Sequence, residues 1–313
     1  MKQNSLTGFM NEVIVELQQE GRYATAYIYK YALMAFTQSI GGGEIFWGGL
    51  NRYALRHFQV YMENRQKSYN TISTYIRALR AVYNRAVDRG LVAGKFRLFA
   101  NLKTGVGSEK KLALTASQMR QLIRIPQYPP KMREAQDTLL LMLLLQGMPY
   151  TDLAHLHKGD LNGDLLTCRR QKTGTELCVK LLPEAMQLIE QYRNHEADSP
   201  YLLNILSGTQ TEEAAFEEYR GKLRELNLYL SRLSALCGLK GVKVSSYTAR
   251  HTWATLAKYC HVPEELISEG LGHSSLEVTR TYLKSFEGSE MMKVNNMIIN
   301  YINTGEKELW GRA

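Results

Sequence analysis

Ser246-Tyr247-Thr248-Ala249-Arg250-His251-Thr252-Trp253-Ala254-Thr255 is followed by Leu271-Gly272-His273-Ser274-Ser275 and then by Thr279-Arg280-Thr281-Tyr282-Leu283. Its polar start and its apolar residues at three- to four-residue spacing predict a helix over 248–260 with Arg250 and His251 in the opening turn. Further helices are predicted over 263–270 and 276–283, the last carrying Tyr282. The first sets a guanidinium and an imidazole at one helix end, the second an imidazole after a glycine stop, and the third a phenol. Each has an ordinary reading on its own: Arg250 as a salt-bridge partner, His273 as a loop residue beside a helix end, and Tyr282 as one of 19 packing tyrosines. Together they make a chemical set. A bidentate guanidinium matches the oxygens of a phosphoryl group in transfer, imidazoles exchange protons near neutral pH, and a phenol with a pKa near 10 becomes a nucleophile beside cations.

Working outward, residues 184–195 and 212–236 read as helices, as do 134–146 and 150–155, with Thr115 capping one more. Leu165 to Arg169 and Leu177 to Leu181 alternate apolar and polar residues around Lys172-Thr173-Gly174, the pattern of a β-hairpin, with Pro183 closing it. A last helix is predicted over 289–303, with Val294, Met297, Ile298 and Tyr301 as its apolar stripe. The first third reads as helices over 5–19, 23–38, 52–65 and 70–89. In the last of these, Ile72, Tyr75, Ile76, Leu79, Val82, Tyr83 and Ala86 form one stripe, and Thr74, Arg77, Arg80 and Arg85 lie opposite. That polar face reads either as a solvated surface or as a helix lying against DNA. Residues 100–111 lose the apolar period and gain glycine and charge. The chain therefore divides into a helical domain over 1–104, a linker over 105–111 and a domain over 112–313, mainly α with a small β-sheet.

Composition narrows the class. At 313 residues with 44% hydrophobic content and 7 prolines, two packed domains are expected and disorder is not. The net charge is +9, and residues 1–110 hold 15 Lys and Arg against 7 Asp and Glu, so the excess sits almost wholly in the first third. A basic module joined to a near-neutral one suits a phosphate-gripping clamp attached to a domain with another task. The longest apolar run, Leu139 to Leu145, falls well short of the roughly 18 residues of a membrane span, and Met1-Lys2-Gln3-Asn4 opens no signal-peptide pattern. The protein is expected to be soluble and cytoplasmic, with no membrane partner. Its four cysteines, Cys168, Cys178, Cys237 and Cys260, form no C-x-x-C pair and read as free thiols.

The three C-terminal elements, in their order and spacing, resemble the R-H-[ST]-[FW]-A-T, L-G-H-S-S and tyrosine motifs of the tyrosine recombinase (phage integrase) family. The resemblance implies a helical, SAM-like core-binding domain followed by an α+β catalytic domain. It implies a site-specific recombinase or integrase of mobile elements that cuts and rejoins double-stranded DNA through a 3′-phosphotyrosine, with no metal or other cofactor. The catalytic set it implies is Tyr282, Arg250, His273, His251 and Tyr247, with Lys172 of Q-K-T-G as general acid. DNA contacts are expected from Thr74, Arg77, Arg80, Arg85, Arg169 and Arg170. It further implies a homo-tetramer on two DNA sites, monomeric or dimeric off DNA, working in a bacterial cytoplasm at the nucleoid, with the 289–303 helix docked on a neighbour.

One element departs from the pattern. The family's first arginine, in T-G-x-R-x-x-E-L, aligns with Leu145-Gln146-Gly147-Met148-Pro149-Tyr150-Thr151-Asp152-Leu153, where its place is held by Pro149 or Gln146. That segment is similar to the R-G-M-x-x-x-D-[ML]-A-x-L form of Bacteroides-type integrases and invertases, a branch that also commonly has tyrosine at the place of Tyr247. With one phosphate-binding charge absent, either Arg169, Arg170 or another cation substitutes, or the enzyme is slow, or the protein is a catalytically weakened DNA-binding regulator or architectural factor. A type IB topoisomerase shares the tyrosine chemistry and is a further alternative.

Overall fold

The first helices begin where side chains can close their open N–H groups. Ser5 Oγ accepts from the Gly8 N–H at 3.0 Å, Asn51 Oδ1 from Ala54 at 2.9 Å and Ser68 Oγ from Thr71 at 3.2 Å. The computed structural model describes residues 5–107, 113–123, 129–208, 211–239, 241–273 and 275–283. It divides into two units, Met1–Glu109 with Glu212–Phe216, and Lys110–Thr211 with Glu217–Ala313.

The first unit carries α1 (Leu6–Gln19), α2 (Tyr23–Ser39), α3 (Arg52–Asn64) and α4 (Tyr69–Asp88). Their apolar stripes meet in one core of Phe9, Met10, Phe36, Leu55, Phe58, Ile76 and Leu79, where Phe36 and Phe58 pack edge to face at 5.4 Å. The stripe expected on α4 is buried at Ile72, Ile76, Leu79, Val82, Tyr83 and Ala86, with Tyr75 packed against the same core.

The second unit runs α5 (Ala116–Ile123), α6 (Pro130–Leu144), α7 (Tyr150–Ala154), β1 (Leu161–Asn162), β2 (Leu165–Arg169), β3 (Glu176–Lys180), α8 (Pro183–Gln191), α9 (Glu212–Leu236, whose first residues to Phe216 count with the first unit), α10 (Ser246–Tyr259), α11 (Glu264–Leu271) and α12 (Leu276–Arg280). The strands form an antiparallel sheet in the order β1-β2-β3, with Leu166 opposite Val179 and Cys168 opposite Leu177 on the buried face. Leu139 and Met142 of α6, Leu230 and Leu233 of α9, and Ala249 of α10 complete this core.

Gly147 lets α10 come close. Its φ is +72°, and a Cβ there would stand 3.0 Å from the Arg250 Cα, so a side chain would be strained and would push α10 away.

Several expectations change. The sheet has a third strand, β1, too short to show an alternating pattern. Pro183 opens α8, its fixed φ suiting the first helical position, and α8 stops at Gln191, short of His195. Ser245 caps α10 two residues earlier than expected, which moves Arg250 and His251 from the opening turn into the second. α12 ends at Arg280, so Tyr282 lies in the turn beyond the helix. The predicted 289–303 helix lies outside the described residues.

Candidate active site

The site forms where α10, the end of α11, the β2–β3 hairpin and the turn after α12 meet. Arg250 is 2% exposed. Its Nη1 donates to the Gly147 carbonyl at 3.1 Å, and its Nη2 donates to the Leu271 carbonyl at 2.5 Å and to His273 Nε2 at 2.9 Å. Its Nε is buried and meets no acceptor among the described residues.

The Tyr282 ring lies over this group. Its centroid is 4.8 Å from that of His251, 4.9 Å from that of His273 and 5.3 Å from the Arg250 Cζ. The Tyr247 ring lies 5.9 Å from that of His251 in a tilted arrangement, and its phenol is pushed above its ordinary pKa of 10.0, first by loss of hydration and then by Tyr282 beside it.

His273 is fixed on both nitrogens. α11 ends at Gly272 in the left-handed conformation (φ +61°), which turns the chain so that His273 faces Arg250. Nε2 meets the Arg250 guanidinium and Nδ1 meets Thr279 Oγ1 at 2.9 Å. Burial, then the charges of Arg250 and Arg170, hold its pKa down to about 4 from 6.5. The unfolded chain therefore takes up a proton that the folded site refuses as pH falls below 6.5 toward 4, and this stabilisation is complete only above that window. Between neutral pH and about pH 5, wild-type melting temperature is expected to fall further than that of His273→Gln. Equal falls in the two proteins would show that His273 is not a source of the acid sensitivity.

Arg170, expected as a DNA contact or as a substitute for the absent arginine, is buried to 8% exposure and turned into the site. Its Nε pairs with Asp152 Oδ2 at 3.2 Å, and its Nη1 donates to the Leu271 and Gly272 carbonyls at 3.0 and 3.1 Å. Asp152 Oδ1 also accepts from the Gln171 N–H at 2.9 Å, tying α7 to the hairpin. Two guanidiniums thus converge on the carbonyl end of α11, the negative end of its dipole, sharing the Leu271 oxygen. Burial and then the charge of Arg170 bring the Arg250 pKa below its ordinary value. A buried pair of cations facing one carboxylate carries net positive charge and suits an anion.

The other expected contacts take no part in these hydrogen bonds. Lys172 stands in the exposed turn between β2 and β3 and makes no hydrogen bond or ion pair among the described residues. Arg169 is exposed and lies 3.7 Å from Glu176. On α4, Arg77 and Arg80 are exposed, Thr74 accepts from Arg77 Nη2 at 3.3 Å, and the half-buried Arg85 lies 3.6 Å from Glu16, which takes part of its charge. Among the described residues no His, Cys, Asp and Glu group has metal-site geometry, and no helix is long and apolar enough to cross a membrane.

A mainly helical unit with a three-stranded sheet thus draws a buried arginine, two histidines and a tyrosine into one place, a set of groups suited to a phosphoryl group. Residues 113–288 match the phage integrase family, and residues 5–97 match the phage integrase SAM-like domain. The chain belongs to the phage integrase family. Tyrosine recombinase XerA of Thermococcus kodakarensis is 26% identical over 88% of this chain and 91% of its own. The fold is that of the lambda integrase dimer bound to a COC′ core site (TM-score 0.65, 15% identity, 91% of this chain and 99% of that one). The lambda integrase tetramer bound to a Holliday junction is similar to the same degree (TM-score 0.65, 14% identity, 90% and 77%).

Proposed function

We propose that the chain is a tyrosine-type site-specific DNA recombinase. The observation that carries this reading is the packing of the Tyr282 ring against Arg250, His251 and His273, with the buried Arg250 Nε meeting no acceptor among the described residues. In the proposed reaction the Tyr282 hydroxyl gives up its proton to solvent as its oxygen attacks the scissile phosphorus, a 3′-phosphotyrosine bond forms, and the bond to the 5′ oxygen breaks. Arg250 and His273 bind the non-bridging oxygens, and His251 and Tyr247 line the nucleophile. Lys172, brought in on the hairpin turn, gives its proton to the leaving 5′ oxygen. A 5′-hydroxyl of the partner duplex then reverses the step. The phosphotyrosine conserves the bond energy, so the balance closes without a nucleotide or a metal.

Arg170 takes the place of the arginine that the Gln146–Pro149 segment lacks. Residues 1–104 act as the core-binding domain, gripping double-stranded DNA through the α4 face of Thr74, Arg77, Arg80 and Arg85, and residues 112–313 as the catalytic domain. Arg169 contacts the DNA backbone from the hairpin. The working assembly is a homo-tetramer on two DNA sites, as lambda integrase forms on its Holliday junction. It acts in the cytoplasm at the nucleoid, on a mobile element of the Bacteroides-type branch.

The test is a nicked suicide duplex carrying sequence from beside the protein's own gene, with the products run on a denaturing gel. Expected is a covalent protein–DNA adduct whose linked peptide contains Tyr282. Specific binding without an adduct would instead favour the DNA-binding regulator. Relaxed supercoils without exchanged strands would favour a topoisomerase.

A further inference from the structure

We infer that Thr279 is the positioning residue for His273, its hydroxyl holding Nδ1 so that Nε2 can serve first Arg250 and then the phosphate. The inference rests on the recombinase reading above. Thr279 is fully buried on α12, and its Oγ1 lies 2.9 Å from His273 Nδ1. Arginine only donates hydrogen bonds, so the contact from Arg250 Nη2 requires a lone pair on His273 Nε2. In the DNA-free site Nδ1 therefore carries the proton and Thr279 accepts it.

With a phosphate bound, Arg250 turns its N–H groups to oxygen, and His273 helps only if Nε2 itself donates. The ring reaches that state in two ways. As a neutral ring it releases the Nδ1 proton to solvent and takes one at Nε2, after which Nδ1 must accept. As a cation it gains a proton at Nε2 and Nδ1 still donates. A hydroxyl satisfies Nδ1 in both cases by rotating its own hydrogen, whereas a backbone carbonyl or a carboxylate satisfies only the donor form. Full burial of Thr279 means that its hydroxyl has no ready substitute in bulk water.

The same residue sets the nucleophile. The Thr279 carbonyl accepts the Tyr282 N–H at 2.9 Å. One residue thus ties the imidazole, through its side chain, and the phenol, through its backbone, to the same turn of α12.

Thr279→Val keeps the shape and removes the hydroxyl, and Thr279→Ser keeps the hydroxyl. On the suicide duplex Thr279→Val is expected to form adduct roughly 10- to 100-fold more slowly than wild type, with DNA affinity and melting temperature little changed, and Thr279→Ser within about threefold. In a His273→Gln background the same Val substitution is expected to cost less than about twofold, because its effect runs through the imidazole. Equal cost in both backgrounds, a wild-type rate for Thr279→Val, or failure of Thr279→Ser to restore the rate would each overturn the assignment. Absence of any adduct with wild type would overturn the recombinase reading, and the role of Thr279 with it.

Discussion

Tyr282→Phe is expected to bind its DNA site with an affinity within about twofold of wild type, since the packing ring is kept, and to form no covalent adduct. Phenylalanine preserves the ring that lies 4.8 Å from His251 and 4.9 Å from His273, so the site should keep its shape and the protein its fold. What disappears is the one oxygen proposed to attack phosphorus. Removing a covalent nucleophile outright costs on the order of 10⁴-fold or more, because the groups around it have nothing left to activate. The readouts are a denaturing gel for the adduct and anisotropy for binding. An adduct that survives the change would move the nucleophile elsewhere, and the neighbouring alternative is Tyr247, whose phenol lies beside Tyr282. Mass mapping of the DNA-linked peptide would separate the two.

The sequence carried local structure well where it was regular. Helix α9 spans the expected 212–236, β2 and the α4 stripe fall where their periods put them, and β3 lies one residue earlier than expected. Boundaries at the site were less legible. α12 stops before Tyr282, and no glycine or proline marks that stop. Arg170 was legible in a way that the paired arginines concealed. Leu166 and Cys168 face the core, and the two-residue period of a strand carries that face on to Arg170 while turning Arg169 outward. Thr279 gave no signal, since an imidazole partner six residues along the chain is set by tertiary placement and not by pattern. The empty arginine position in the Gln146–Pro149 segment was visible from the start, but the proposal that Arg170 fills it required a fold.

Arg170→Ala is expected to slow adduct formation by roughly 10²- to 10³-fold, the usual cost of one preorganised donor at a charged transition state. The substitution also strands Asp152, which is 5% exposed and would lose its cationic partner. Breaking a buried pair in this way typically costs about 3–5 kcal/mol of stability, so a slow Arg170→Ala enzyme alone would not separate catalysis from folding. Arg170→Met with Asp152→Asn removes both charges together and keeps the volume. That double variant is expected to recover most of the melting temperature, because no unpaired charge remains, while adduct formation stays down by the same roughly 10²- to 10³-fold. Asp152→Asn alone leaves the Arg170 cation in place and should lose far less activity than either Arg170 variant. If cleavage instead returns with stability in the double variant, Arg170 serves only to hold α7, the hairpin and the end of α11 together, and Arg250 is the one buried guanidinium that works on the phosphate. The contacts favour the first outcome. Arg170 and Arg250 share the Leu271 carbonyl, and a fold that sought only a structural tie would gain little from bringing a second buried cation so near the first.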